Sequence, residues 1–201
     1  MGQYYQATIL KKDYKSEKQP VEAWISSFDY GGNGMKLMEH SYRGNAYVTA
    51  FESLIDDKKG KYAGYPVVWA GDYADVEKGY EKEKLNINSL ADNTKPLVIK
   101  DKMLAHRYII NLDKMEFVDM RKLPKTDTSH YEDKNGKVHT VNWYIHPLPL
   151  LTCEGNGRGG GDYEGSSMEL VGTWARDRVV VSNDKPDVLY KEIKPNFLEN
   201  R

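Results

Sequence analysis

Apolar positions along this chain alternate more often than they recur at helical spacing. Tyr4 to Leu10 alternates loosely and predicts a first strand, and Val21 to Ser26, with Trp24 inside it, predicts a second. The polar segment KKDYKSEKQP turns between them. A glycine cluster from Asp29 to Gly34 then interrupts regular structure. One segment has the helical period. Tyr47, Ala50, Phe51, Leu54 and Ile55 recur at i, i+3, i+4, i+7 and i+8, which predicts a helix over about 43–57 with Asn45 as its cap. Met35 to His40 adds a helical turn before it. Pro66 to Ala70 predicts a short buried strand, ended by Gly71-Asp72-Tyr73.

The second half is mostly strand. Residues 77–95 are charged and asparagine-rich, and predict a surface excursion with at most one short helix. Leu104 to Asn111 and Met115 to Met120 read as two strands. Asn135-Gly136 predicts a hairpin turn, because Asn-Gly supplies the positive φ angles of a type I′ turn. The next strand, Val138 to His146, places Val141, Trp143 and Ile145 on one face and Asn142, Tyr144 and His146 on the other. Leu148 to Glu154 reads as a strand delivering a glycine-rich loop, and Trp174 to Ser182 and Val188 to Ile193 read as the last strands. About eight strands and one good helix predict an α+β fold. The expected architecture is a single domain over 1–201, with a mostly antiparallel sheet and the helix packed on one face.

Composition narrows the class. The 15 tyrosines and four tryptophans supply much of the apolar area, which suits a sheet-rich core. The formal charge is −1, with 29 basic against 30 acidic residues, so broad electrostatic capture of nucleic acid is not expected. No apolar run has the length of a membrane span. The N-terminus has no signal-peptide core, Gln6 breaks the myristoylation pattern, and a single cysteine forms no internal disulfide. A cytoplasmic protein is expected.

The candidate chemistry centres on HPLPLLTCEGNGRGGGDYEG, residues 146–165. Gly155, Gly157 and Gly160 satisfy G-x-G-x-x-G, but the residues after them lead to more glycine and another strand, not to the helix a dinucleotide fold needs. A phosphate loop with Gly-Lys-Ser/Thr is absent. The bland alternative is a loop of tight turns. Cys153 is expected to be a buried thiol, since Glu154 beside it disfavours the thiolate. None of the five histidines sits in a zinc motif, so no metal site is assigned, and His40 is expected to be a hydrogen-bonded structural residue. The expected ligand-binding residues are Asn156, Arg158, Gly159, Gly160 and Asp162 of the loop, with Trp69, Asp72, Arg176 and His146. Trp69 would stack a planar ligand. With turnover, Asp72 or Asp162 would be the base and His146 or His40 the acid.

Gly2-Gln3-Tyr4-Tyr5, KLMEHS at 36–41, VWAGDY at 68–73, the 146–163 run and GTWARD at 172–177 resemble an uncharacterised family of proteins from bacteria and their phages. The resemblance implies a bacterial or phage cytosolic protein and assigns no catalytic residue or cofactor. Three functions stay open. The first is binding of a polar or nucleotide-like small molecule at the glycine loop. The second is interaction with a bacterial host protein, as an inhibitor would. The third is a hydrolase or transferase of undefined reaction.

Overall fold

The computed structural model describes residues 3–31, 34–99, 105–155 and 161–198. Among them are ten strands. Those of the first half are β1 (Tyr5–Leu10), β2 (Val21–Ile25), β3 (Val67–Gly71), β4 (Tyr108–Asn111) and β5 (Glu116–Asp119). The rest are β6 (Asp127–Glu132), β7 (Val138–Trp143), β8 (Cys153–Glu154), β9 (Val179–Ser182) and β10 (Lys191–Glu192). Four α-helices accompany them: α1 (Leu37–His40), α2 (Ala46–Leu54), α3 (Ile87–Asp92) and α4 (Pro147–Thr152).

The strands form two four-stranded sheets, β2-β1-β3-β8 and β10-β5-β4-β9, and the separate hairpin β6-β7. Pairing is antiparallel except where β8 joins β3 and β10 joins β5. The fold is therefore α+β and mostly antiparallel. All six residues of β1 are buried, which the loose alternation of its sequence did not require. The reason is cover on both faces. Tyr5, Ala7 and Ile9 point into the main core with Trp69, while Leu10, Val68 and Ala70 point into a second one.

The predicted helix is α2, shorter at both ends than the expected 43–57. Its Asn45 cap accepts the N–H groups of Tyr47 (2.9 Å) and Val48 (3.3 Å). Phe51 and Tyr47 set their rings against Trp69 at 4.9 and 5.8 Å between centroids. The opposite face of the sheet is covered by α3, through Ile87, Leu90 and Ala91. The segment expected as surface thus contributes a second layer. Its polar look comes from caps: Asn86 accepts the N–H of Ser89, and Asn88 Nδ2 donates to the Ala70 carbonyl, both at 2.9 Å.

The second sheet turns Ile109, Val118, Val179 and Val181 into the same main core as α2. The bridge Pro66↔Arg178 ties the two sheets at their margins, and Asp56↔Val181 ties the segment after α2 to β9. The hairpin forms where Asn-Gly predicted it, but Gly136 has a positive φ (78°) and Asn135 does not, so the turn is not the type I′ expected. Asp133 locks its turn by accepting the N–H groups of Asn135 (2.9 Å) and Lys137 (3.0 Å).

Further expectations change, and of Val188–Ile193 only Lys191–Glu192 is extended. Leu148–Glu154 is not a strand: Pro147–Thr152 is a buried helix, and only Cys153–Glu154 is extended. A short apolar run does not distinguish buried strand from buried helix. Pro147 and Pro149 lie in the first turn, where no intrahelical N–H is needed, and the His146 ring accepts the Leu148 N–H at 3.3 Å. Trp174–Ser182 is extended only from Val179. The segment before it turns, with Arg176 in the left-handed region at φ 66°. No helix among the described residues is long and apolar enough to cross a membrane.

Candidate functional site

The parallel pair β3 and β8 ends at Gly71 and Glu154, with Trp69 opposite Cys153 and Ala70 opposite Glu154. Loops leaving the carboxyl ends of parallel strands commonly frame a ligand crevice. Here that end is met by Gln3 and Tyr5 at the start of β1. The Tyr5 hydroxyl donates to Gln3 Oε1 at 2.6 Å. A Cβ added at Gly155 would lie 2.6 Å from Gln3 Nε2, and one at Gly161 would lie 2.6 Å from the Tyr5 ring. Both shoulders of the glycine loop therefore need glycine so that the backbone can lie against these two side chains.

Two carboxylates flank the same place. Asp72 Oδ1 accepts the Tyr4 N–H, and the Asp72 N–H donates to the Tyr4 carbonyl, both at 2.9 Å. Asp162 Oδ1 accepts the N–H of Met38, in α1, at 2.9 Å. The second oxygen of each has no partner among the described residues. The Tyr5 hydroxyl is held far above its ordinary pKa, by burial first and then by the negative side chains around it, Asp162 and Asp72 included. Gln3 is 9% exposed, yet its Nε2 has no hydrogen-bond partner among the described residues. A buried unpaired donor costs about 1–3 kcal/mol.

The other expected residues fall elsewhere. Trp69 is fully buried, with Nε1 donating to His40 Nε2 at 2.8 Å, so it packs the core and stacks no ligand. His40 Nδ1 faces the Gly34 carbonyl at 3.1 Å, and burial lowers its pKa to about 4. It is the structural histidine expected. His146 is buried beside Glu52 at 3.3 Å, its other ring nitrogen taken by Leu148. Neither histidine is placed to serve as an acid for Asp72 or Asp162. Arg176 lies on the opposite face of the sheet, as β-alternation from Ala70 and Glu154 dictates. Its guanidinium is held bidentate by both Glu154 and Glu77, leaving it no role as a free cation. Asn156, Arg158, Gly159 and Gly160 lie outside the described residues.

Cys153 is 1% exposed, and its thiol donates to the Leu150 carbonyl at 3.2 Å. Burial, aided by Glu154, pushes its pKa up to about 12. The folded protein is expected to leave an aromatic disulfide reagent unreacted and to release one equivalent of chromophore only in denaturant. Rapid labelling of the native protein would contradict this.

Two features escaped sequence reasoning. Gln3 carried one signal, its place in the Gly2-Gln3-Tyr4-Tyr5 motif. The second is a buried cluster in which Glu52 lies between His146 and His106, and His106 Nε2 meets Asp56 Oδ2 at 2.6 Å. These four residues are scattered along the chain, and no spacing announces them. No group of three or more His, Cys, Asp or Glu side chains among the described residues is placed to hold a metal. A cavity of about 580 Å³ opens at the foot of the hairpin, lined by Tyr42, Trp143, Ile145 and Leu198 among others. No protein-family model matches the chain, and no curated protein and no solved structure matches it.

Proposed function

We propose that the protein binds a polar small molecule at the end of β3 and β8, between Gln3, Asp72 and Asp162. The observation that carries this reading is the Gln3 Nε2, buried and without a hydrogen-bond partner among the described residues. Native chains leave few buried donors unpaired, and a ligand acceptor supplies the missing partner. The carboxylates are anchored by main-chain N–H groups, so they are pre-set and need no rearrangement to receive a ligand. In this reading the protein works in the cytoplasm by holding its ligand, without a catalytic step.

A thermal-shift panel of sugars, nucleosides, nucleotides and amino acids tests it. At least one class is expected to raise the melting temperature of the native protein and to leave Gln3→Met, which keeps the side chain's length without its donor, unshifted. A panel with no rise, or a rise undiminished in Gln3→Met, contradicts the reading.

One observation favours a second role, contact with another protein such as a bacterial host factor. Tyr131, Val138 and Trp143 on the hairpin are 56%, 62% and 39% exposed. Two-stranded ribbons are marginal alone, and exposed aromatic residues are common anchors of interfaces.

A further inference from the structure

We infer that the ligand of the Gln3–Asp72–Asp162 site is recognised through neighbouring hydroxyl groups, as a sugar or ribose ring presents them, and not through a phosphate. This rests on the binding role proposed above and assigns its chemical class. Donors and acceptors at the site decide that class. Asp72 and Asp162 each spend one oxygen on a main-chain N–H, of Tyr4 and Met38 respectively. What each has left is an acceptor carrying negative charge. Gln3 Nε2 is the opposite, a buried donor without a partner among the described residues. Its direction is fixed, because Oε1 is held by the Tyr5 hydroxyl and Nε2 lies within 3.1 Å of where a Cβ would stand on Gly71.

A ligand for this set must donate to two carboxylates and accept from one amide. An ammonium group donates but accepts nothing. An ionised phosphate accepts but is repelled by both carboxylates. A ketone carbonyl satisfies Gln3 alone. A hydroxyl does both, and a pair on adjacent carbons spans two acceptors while returning an oxygen to the donor. Carboxylate side chains hold ribose hydroxyls in this manner in dinucleotide-binding proteins. Arg176 is on the other face and saturated by Glu77 and Glu154. It offers no relief of the negative charge.

The test is titration of protein labelled with 15N at glutamine, read by NMR, with D-ribose, D-glucose, D-galactose, adenosine, 2′,3′-dideoxyadenosine and inorganic phosphate. One or more of the diol-bearing probes is expected to move the Gln3 side-chain amide signals. If adenosine is the ligand, the dideoxy compound is expected to bind about tenfold more weakly or worse. Asp72→Asn and Asp162→Asn keep an oxygen for the Tyr4 and Met38 N–H groups, so the fold is retained. Each is expected to weaken the diol by about tenfold. Movement of the Gln3 signals by phosphate, or by dideoxyadenosine as strongly as by adenosine, overturns the hydroxyl class and leaves the binding site standing. If no probe moves Gln3, the hydroxyl class falls. If, in addition, the thermal-shift panel gives no rise, the binding role falls with it.

Discussion

Glu52→Ala is expected to lower the free energy of unfolding by about 3–5 kcal/mol, the usual cost of removing one partner from a buried ionic cluster. Glu52 is 2% exposed on the core side of α2. Its Oε1 lies 3.3 Å from His146 Nε2, and its Oε2 lies 3.8 Å from His106 Nδ1. The partners assign the protons. His146 Nδ1 accepts from Leu148, so the proton sits on Nε2 and is donated to Glu52. His106 lies between Asp56 and Glu52, and its Nδ1 is buried with no hydrogen-bond partner among the described residues. Without Glu52, His146 has a buried N–H with no acceptor, and His106 loses one of the two charges that balance it.

The same cluster sets a pH dependence. Burial alone would push His106 down, but Glu52 and Asp56 outweigh it and raise its pKa above the ordinary 6.5. Burial alone would push Glu52 up, but the two histidines outweigh it and lower its pKa below the ordinary 4.5. A raised histidine contributes stability that is complete below its unfolded pKa and is lost as pH rises through the folded value. A lowered carboxylate contributes stability that is present above its unfolded pKa and is lost as pH falls through the folded value. The cluster's contribution is therefore largest between pH 4.5 and 6.5. Urea unfolding at a series of pH values should show stability falling as pH rises above that window. In His106→Gln that fall should be reduced. An unchanged alkaline slope in His106→Gln, or a loss below about 1 kcal/mol in Glu52→Ala, would refute the assignment.

Trp69→Ala is expected to cost a similar amount, about 3–5 kcal/mol, as large-to-small core changes do. The indole is fully buried on β3, edge-on to Phe51 at 4.9 Å and to Tyr47 at 5.8 Å. Its removal opens a void under α2 and takes the donor from His40 Nε2. Trp69→Phe keeps most of the apolar volume and loses the hydrogen bond, so it should cost less, on the order of 1–2 kcal/mol. Equilibrium unfolding of the three proteins separates packing from hydrogen bonding. Equal losses in the two variants would mean that the hydrogen bond, not the ring, is what the core requires.

These residues also mark how far the sequence could be read. The α+β class, β1 to β3, α2 and the hairpin came from periodicity and turn chemistry, which are local. The buried helix Pro147–Thr152 did not, because an apolar run with two prolines fits both a strand margin and a helical first turn. Trp69 and Asp72 are three residues apart and looked like one site. The pleat sends the indole into the core, while Asp72 lies just past the strand's end. Glu154 and Arg176 were both within the motifs, yet their pairing on the far face depends on register, which single-sequence patterns do not carry. Gln3 was legible only as part of a motif. Its meaning came from a missing hydrogen bond, a property of the fold.

At the centre stands the Gln3 amide as the donor of a ligand site. The most direct measurement is the pair of Gln3 side-chain amide signals in 15N-glutamine-labelled protein, followed while the compound with the largest thermal shift is added. This pair is expected to move and to saturate with the same affinity as the stabilisation, and Asp72→Asn is expected to weaken both together. Signals at Gln3 that stay fixed while the protein is stabilised and resonances elsewhere move would contradict that role.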